Sequence, residues 1–422
     1  MSSFVFTTLG SWGDLFPFVE LARELRLRGH SVSVATSPAW AQMVRDEGLG
    51  FSPTGRRLDF GDYRRHPEIL SGRFGSFAGV RSVLTRFVLP QLDTLTTDLR
   101  DATDGADLLV AHPAMLAAPI VAELDDTPWA TASVFPGLIP SAWTVPQGTP
   151  LGPFAGGAGR LANRAAWCLA RGVMAATFDR SINQTRVHFG LPRARENFLR
   201  SGMSPLASLV LASPRVVPRP PDWPASVELT GFVHWDRPSA WEEPPEFTKF
   251  LEQGPPPVVV TLGTSSALHP GTFFRDATGA LSRLGRRALV VTGSSPPIEL
   301  TPGVRTLVQQ FVPFSVALPR CHAIVHHAGA GTVVAALIAG IPQLAVPRSF
   351  DQPSTAARLA NLGVGRVLPW HRLSPARMER ELSELLGDSQ YRESAEQLAR
   401  ALAAEDGLAT ISARLEELVA TT

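Results

Sequence analysis

The sequence predicts an α/β protein built as two domains, each a parallel sheet flanked by helices. Three observations point there. The chain has 422 residues, more than one domain usually holds, so two domains of about 200 residues each are expected. It opens on a strand, a glycine turn, a helical pattern and a second strand. Its second half carries short apolar runs, several continuous rather than alternating, which is how strands buried on both faces read.

In the opening unit FVFTTL (4–9) is rich in strand formers and GSWGD (10–14) reads as a turn. Phe16 to Arg28 then places apolar residues at helical spacing, and Gly29 ends that helix before HSVSVATS resumes a strand. Further strands are expected at DLLVAH (107–112), WATASVF (129–135) and SLVLAS (208–213), with helical patterns over 114–124 and 158–190 and a Pro/Gly-rich loop over 136–160. Two proline-dense tracts, 214–224 and 235–247, bracket a linker. Beyond it come PPVVVTLG (256–263), RALVVTG (287–293), TLVQQFV (306–312), HAIVHH (322–327) and PQLAVP (342–347), then a mostly helical stretch from Ser374. The expected division is a Rossmann-like domain over 1–213, a linker over 214–247, a second Rossmann-like domain over 248–405 and a final helix over 406–422, free to pack back on the first domain.

Composition excludes several functions. Charged residues make up 18% and hydrophobic ones 44%, the balance of a globular chain rather than a disordered one. The formal net charge of +1 gives no basic face for a nucleic acid. Cys168 and Cys321 stand apart with no CxxC or Cys/His cluster, so neither a disulfide framework nor a structural zinc is expected. The N-terminus lacks a basic segment followed by an apolar one, and no run approaches the roughly 18 apolar residues that span a bilayer. A cytoplasmic protein without integral membrane contact is the expectation. Lys249 is the only lysine. It is followed by Phe250, so no P-loop exists, and its polar surroundings do not suit a pyridoxal phosphate Schiff base.

Three segments carry candidate chemistry. HHAGAGT (326–332) follows a strand, supplies Gly329 and Gly331 without Cβ atoms, and opens a helical run whose first N–H groups lack partners. Such a helix start binds phosphate, and His327 and Thr332 add side-chain donors; a plain strand-to-helix turn with a structural histidine is the alternative. TLGTSS (261–266) ends a strand in a glycine and small hydroxyls that can approach a phosphate closely, or forms an ordinary polar loop. FDQPSTA (350–356) sets Asp351 beside Gln352, an acceptor next to a group that both donates and accepts, suited to sugar hydroxyls. Helix capping by Asp351, with Pro353 in the first turn, is compatible with that.

These three motifs in this order, beside FVPF (311–314), resemble the nucleotide-sugar site of family-one inverting glycosyltransferases of the two-domain GT-B fold. The likeness is to the bacterial branch of rhamnolipid rhamnosyltransferase, glycopeptide and macrolide antibiotic glycosyltransferases and sterol glucosyltransferases, and TLGSWGDLFPFVELARELRLRGH matches the same branch. The resemblance implies two domains facing a central cleft and metal-independent transfer of a hexose or deoxyhexose from a UDP- or dTDP-sugar to a small, hydrophobic natural-product acceptor. No cofactor is implied, since the nucleotide-sugar is a co-substrate. It further implies that Phe311 stacks on the base and the Val312 backbone reads its edge. Gly263, Thr264, His327, Gly329, Ala330, Gly331 and Thr332 would surround the diphosphate, with Asp351 and Gln352 on the sugar. Many plant relatives have Trp at the position of Phe311 and a ribose-binding Glu at that of Ala335, a loss compatible with a deoxyribose donor.

Asp14 is the candidate base. On the residues alone it reads as the cap of a helix beginning near Phe16, with Pro17 in the first turn. The resemblance places it at the catalytic position, where a carboxylate receives the acceptor's proton. A retaining double displacement needs a second, nearby carboxylate, which no motif supplies. His112, after DLLVA, is left outside the catalytic set. Two other readings share these motifs: a nucleotide-sugar 2-epimerase, which needs no acceptor, and a catalytically silent nucleotide-sugar-binding auxiliary protein. A nicotinamide dehydrogenase is disfavoured because GSWGD does not supply G-x-G-x-x-G.

Overall fold

The computed structural model describes residues 1–10, 12–57, 80–146, 154–264, 266–293, 295, 297–301 and 305–421; Ser11 of GSWGD, Ser265 of TLGTSS and part of the 136–160 loop lie outside them. Contacts group the described residues into one unit of 1–57, 80–233 and 406–421 and another of 234–405.

The first unit is a parallel sheet of seven strands in the order β3-β2-β1-β4-β5-β6-β7. These are β1 Ser3–Thr8, β2 Ser31–Thr36, β3 Gly50–Pro53, β4 Leu108–Ala111, β5 Trp129–Ser133, β6 Ser208–Val210 and β7 Val227–Leu229. Helices pack on it through apolar faces: Leu92, Leu95 and Leu99 of helix Leu92–Thr103 join Val5, Leu109 and Trp129 in one core. The chain runs outward through β2 and β3, then returns to β4 on the other side of β1. Because the order reverses between β1 and β4, the loops leaving their carboxyl ends border one crevice, the usual ligand position in open α/β sheets.

The second unit repeats the plan with six parallel strands, β8 Val258–Thr261, β9 Ala288–Val291, β10 Thr306–Gln309, β11 Ala323–His326, β12 Gln343–Ala345 and β13 Gly365–Val367, ordered β10-β9-β8-β11-β12-β13. Its reversal lies between β8 and β11. Val258 and Val260 pack into one core with Phe273, Phe274 and Leu344, while Val259 packs into another with Val312, Ala335 and Ile341. Both faces of the strand are therefore buried, which explains an uninterrupted VVV.

Several boundaries differ from the sequence expectation. The first helix spans Trp12–Leu27 rather than starting near Phe16. The Trp12 ring packs 4.8 Å from Phe16 and 4.6 Å from Trp40, drawing the glycine-rich segment into the helix. Asp14 is accordingly a first-turn residue and not the cap. The 214–247 linker contains β7, paired with β6 from Ser208↔Val227 to Val210↔Leu229, and Val216, Val217 and Trp223 are buried. The first unit thus runs to Val233, and helix Pro245–Glu252 already belongs to the second. β3 and β13, both edge strands, were not expected from the sequence.

The last helix, Gly407–Thr421, belongs to the first unit. Ile411, Leu415 and Leu418 are buried, and at about 25 cal/mol per Å² of apolar surface this burial outweighs what the accompanying surface ion pairs contribute. Those pairs are Arg28–Glu416 at 3.2 Å and Arg414–Glu228 at 3.0 Å, joined by a His30–Glu416 hydrogen bond at 2.9 Å. Gly407 has no Cβ because one would collide with the Phe232 carbonyl.

Candidate active site

In the second unit the site grows from the switch point. β8 and β11 are hydrogen-bonded neighbours, so Gly263, just past β8, and His327, just past β11, meet. A Cβ on Gly263 or on Gly329 would overlap the His327 ring; the imidazole lies between two bare backbones. Gly263 also needs its glycine for a φ of +60°. Helix Ala330–Ala339 starts immediately beyond, capped by Gly329, which has no side chain to accept the first-turn N–H groups. The N–H groups of Ala330, Gly331 and Thr332 thus receive no side-chain cap, the arrangement that suits an anion at a helix start. Thr332 is buried, Gly331 is exposed, and Thr264 is half-buried.

His327 is only 6% exposed, and its Nδ1 has no hydrogen-bond partner. Burial pushes its pKa down to about 4, so the imidazole is neutral at neutral pH rather than a cation. His326 beneath it accepts from the Ala328 N–H at 3.0 Å through Nδ1. Burial, then the neighbouring His327, pushes it to about 3; Gln343 lies near enough to oppose the shift, although its amide atoms make no hydrogen bond.

Two strained residues shape the loops. Of three non-glycine residues with positive φ among the described residues, Ala328 (67°) and Phe350 (55°) directly adjoin His327 and Asp351, a clustering of backbone strain that marks candidate sites. Asp351 stands at the cap position of helix Gln352–Asn361, where its side chain makes no capping bond. Gln352 is turned inward. Its Oε1 accepts from the N–H groups of Arg348 (2.9 Å) and Ser349 (3.0 Å), and its Nε2 faces Ser266 Oγ at 3.4 Å. Of the expected sugar-gripping pair, Gln352 therefore first shapes the turn, and Asp351 is the more open member. Arg348 braces the same turn, donating to the His269 carbonyl at 2.6 Å and stacking 4.5 Å over Trp370.

Phe311 and Val312 follow β10. Val312 is buried in the same core as Ala335, and Phe311 is half-buried. The loop is tied down by a feature sequence reasoning missed: Asp236 accepts from the Ser315 N–H (2.9 Å) and Oγ (2.6 Å), with His234 Nε2 at 3.6 Å. Although burial works against its charge, these donors hold Asp236 below the usual carboxylate range.

In the first unit Asp14 and His112 come together for the same topological reason. The β1–β4 register from Phe4↔Leu108 to Thr7↔Ala111 continues as His112 N–H to Thr7 O at 2.9 Å. Asp14 Oδ1 lies 3.8 Å from His112 Nε2. His112 Nδ1 accepts from the Ala114 N–H at 3.2 Å, which assigns the proton to Nε2, facing the carboxylate. Burial lowers the His112 pKa and the Asp14 charge opposes it. Gly10 makes room, since a Cβ there would collide with Asp14 Oδ2. Both units thus use one device: Thr8-Leu9-Gly10 and Thr261-Leu262-Gly263 each end a central strand in a glycine over which a candidate side chain, Asp14 or His327, lies. His112 is the residue that sequence reasoning set aside; only the strand register brings it to Asp14.

The buried histidines fix an acid sensitivity. Unfolded, each titrates near 6.5; folded, His327 stays neutral to about 4 and His326 to about 3. Unfolding therefore takes up protons between those values. Stability is complete above 6.5 and falls as pH drops through this window, by about 1.4 kcal/mol per pH unit for each histidine. The melting temperature is expected to decline from about pH 7 to about pH 5, less steeply in His327→Asn. A flat profile over that range contradicts neutral burial.

Residues 4–142 match the glycosyltransferase family 28 N-terminal domain and residues 289–418 the erythromycin biosynthesis protein CIII-like C-terminal domain. The chain is 31% identical to O-mycaminosyltylonolide 6-deoxyallosyltransferase of Streptomyces fradiae, over 97% of this chain and 96% of that one. It is 30% identical to 4'-demethylrebeccamycin synthase of Lentzea aerocolonigenes, over 98% and 99%. In fold it resembles the glycosyltransferase VinC, solved in complex with dTDP, at a TM-score of 0.68 and 21% identity, covering 100% of each chain. Among the described residues no helix is long and apolar enough to cross a membrane. With two switch-point parallel sheets and full-length likeness to these enzymes, the chain belongs to the GT-B glycosyltransferases of the antibiotic-biosynthesis branch.

Proposed function

We propose that the chain moves a hexose or deoxyhexose from a UDP- or dTDP-sugar to a hydroxyl of a small hydrophobic natural product, inverting the anomeric carbon. The observation that carries this reading is the open start of helix Ala330–Ala339 with His327 seated between Gly263 and Gly329. The N–H groups of Ala330, Gly331 and Thr332, with the neutral His327 and the Thr264 hydroxyl, take the diphosphate. Phe311 and the Val312 backbone take the base, and Asp351 takes sugar hydroxyls on the turn that Gln352 and Arg348 hold. Asp14 accepts the proton of the acceptor hydroxyl while the acceptor oxygen bonds to C1 and the bond from C1 to the β-phosphate oxygen breaks. The nucleoside diphosphate leaves on the opposite face, and His112, its Nε2–H facing Asp14 at 3.8 Å, helps position the carboxylate. The acceptor class proposed is a hydrophobic aglycone; a mainly apolar hollow, too small as it stands to hold one, begins one residue beyond His112 at Pro113, Phe135, Leu138, Ile139 and Met203. The relatives named for tylonolide and rebeccamycin chemistry support that acceptor class.

The test is a mass-spectrometric screen of UDP- and dTDP-sugars against hydrophobic aglycones. A product heavier by one glycosyl unit, with release of the nucleoside diphosphate, is expected. Epimerisation of the donor without acceptor, or no product with any pair, overturns the reading. Transfer is also expected to survive EDTA, because the helix start and His327 meet the diphosphate charge. Loss of activity in EDTA with recovery on adding manganese contradicts that account.

A further inference from the structure

Helix Gly156–Met174 presents a surface that the transfer chemistry does not use. Its residues fall into three stripes. Gly159, Asn163, Trp167 and Met174 are buried against the first unit. Arg160, Arg164 and Arg171, at i, i+4 and i+11, form a ridge along one flank, and Leu161, Ala165, Leu169 and Val173 recur every fourth residue on the solvent side. Leu161 is 68% exposed, Leu169 71% and Val173 42%. The solvent side of a globular protein's helix is normally polar. Here, apart from the arginine ridge and Cys168, its exposed residues are apolar or glycine.

Two aromatic rings widen the patch. Trp143 and Phe154 are 48% and 42% exposed, and the Arg160 guanidinium stacks 4.9 Å over Trp143. The buried Asn163 ties both segments to the helix, its Nδ2 donating to the carbonyls of Ala142 (2.8 Å) and Phe154 (3.0 Å) and its Oδ1 accepting from the Phe154 N–H (3.1 Å). Trp167 Nε1 donates to the Thr144 carbonyl at 2.9 Å. These bonds make the patch a fixed platform.

Charge decides what covers it. Between residues 127 and 178 the sequence holds three arginines and no Asp, Glu or Lys. Asp222 feels the field of Arg164, but its oxygens are taken by Ser141 Oγ (2.6 Å) and the Ala142 N–H (2.7 Å). A second copy fits poorly, because antiparallel two-fold pairing of this helix sets arginine ridge against arginine ridge. An apolar ridge flanked by guanidiniums and aromatic rings fits an anionic lipid surface. Leucines enter the headgroup–acyl boundary, arginines reach phosphate oxygens, and the rings sit between.

We propose that this face docks the protein peripherally on an anionic membrane surface, a property beyond the transfer reading and independent of it. The test sediments the full chain with vesicles of phosphatidylcholine alone or with phosphatidylglycerol mixed in. Binding is expected only to the anionic vesicles, and added salt should release it. Replacing Arg160, Arg164 and Arg171 together by Gln should weaken partitioning about fivefold per arginine, on the order of a hundredfold in all. Leu161→Ser with Leu169→Ser should abolish it with every arginine in place. Arg164, Leu161 and Leu169 are exposed while Arg160 and Arg171 are half-buried; an unchanged melting temperature certifies the fold, and Arg164→Gln alone, with its fivefold loss, serves where the triple variant unfolds. Equal sedimentation with both vesicle types, or none with either, overturns the proposal. So does a dimer in light scattering that the leucine variants dissociate, which assigns the face to a second copy.

Discussion

Asp14→Asn is expected to cut turnover by about two to four orders of magnitude, the usual worth of general-base catalysis, while leaving donor binding intact. The substitution keeps the side chain's size above Gly10 and removes only its ability to take a proton. Asp14 is a first-turn residue of helix Trp12–Leu27 and not its cap. The structural cost is therefore the lost favourable charge at a helix start, about 0.3 to 1 kcal/mol, too little to unfold the chain. The diphosphate and nucleobase contacts proposed above all belong to the second unit, so calorimetric titration with the donor should give the parental affinity. Single-turnover kinetics on the same protein then isolate the chemical step. His112→Ala supplies a second arm: as a positioning residue whose Nε2–H faces Asp14 at 3.8 Å, it should lower turnover less than Asp14→Asn and move the acid limb of the pH–rate profile. If Asp14→Asn transfers sugar at the parental rate, the carboxylate serves only the helix and the base lies elsewhere.

The strand, glycine turn and helix start of HHAGAGT were legible because a glycine-rich turn between a buried strand and an apolar helix needs no tertiary information. What the sequence hid depends on neighbours across strands. His112 follows DLLVA as many loop histidines follow strands, and only the pairing of Thr7 with Ala111 brings it to Asp14. Gln352 reads as a sugar ligand beside Asp351, yet the left-handed Phe350 turns the chain so that the amide faces inward to the Arg348 and Ser349 N–H groups. β7 is three residues long within a proline-dense tract, too short to show a period, so a strand passed for linker. The start of the first helix was set too late because GSWGD satisfies every rule for a turn; the contacts of Trp12 with Phe16 and Trp40 override it. Local pattern found the strands that bear the site, and strand pairing decided which of their side chains meet.

His327→Ala should lower turnover by about two to three orders of magnitude, the loss seen when one preorganised donor to a developing negative charge is removed. The ring's value lies in its fixed position. It sits between Gly263 and Gly329, neutral, with Nδ1 unpartnered and its pKa held at about 4 by burial. Charge gathering on the departing diphosphate is what it should answer, so the loss should fall mainly on kcat, with a smaller weakening of donor affinity. The variant should also resist acid better than the parent, because one proton-accepting site that titrates only on unfolding is gone. Gly263→Ala tests the same arrangement from the other side. Its Cβ would enter the space of the imidazole, and its φ of +60° disfavours any side chain. Turnover should therefore fall at least as far as in His327→Ala although the histidine is still present. In the double variant Gly263→Ala/His327→Ala the steric part of the penalty should shrink, since alanine leaves the space into which the new methyl points, and the two losses should not add. Additive losses would mean that Gly263 acts on the diphosphate through its own backbone, and parental turnover in His327→Ala would remove the histidine from the leaving-group site altogether.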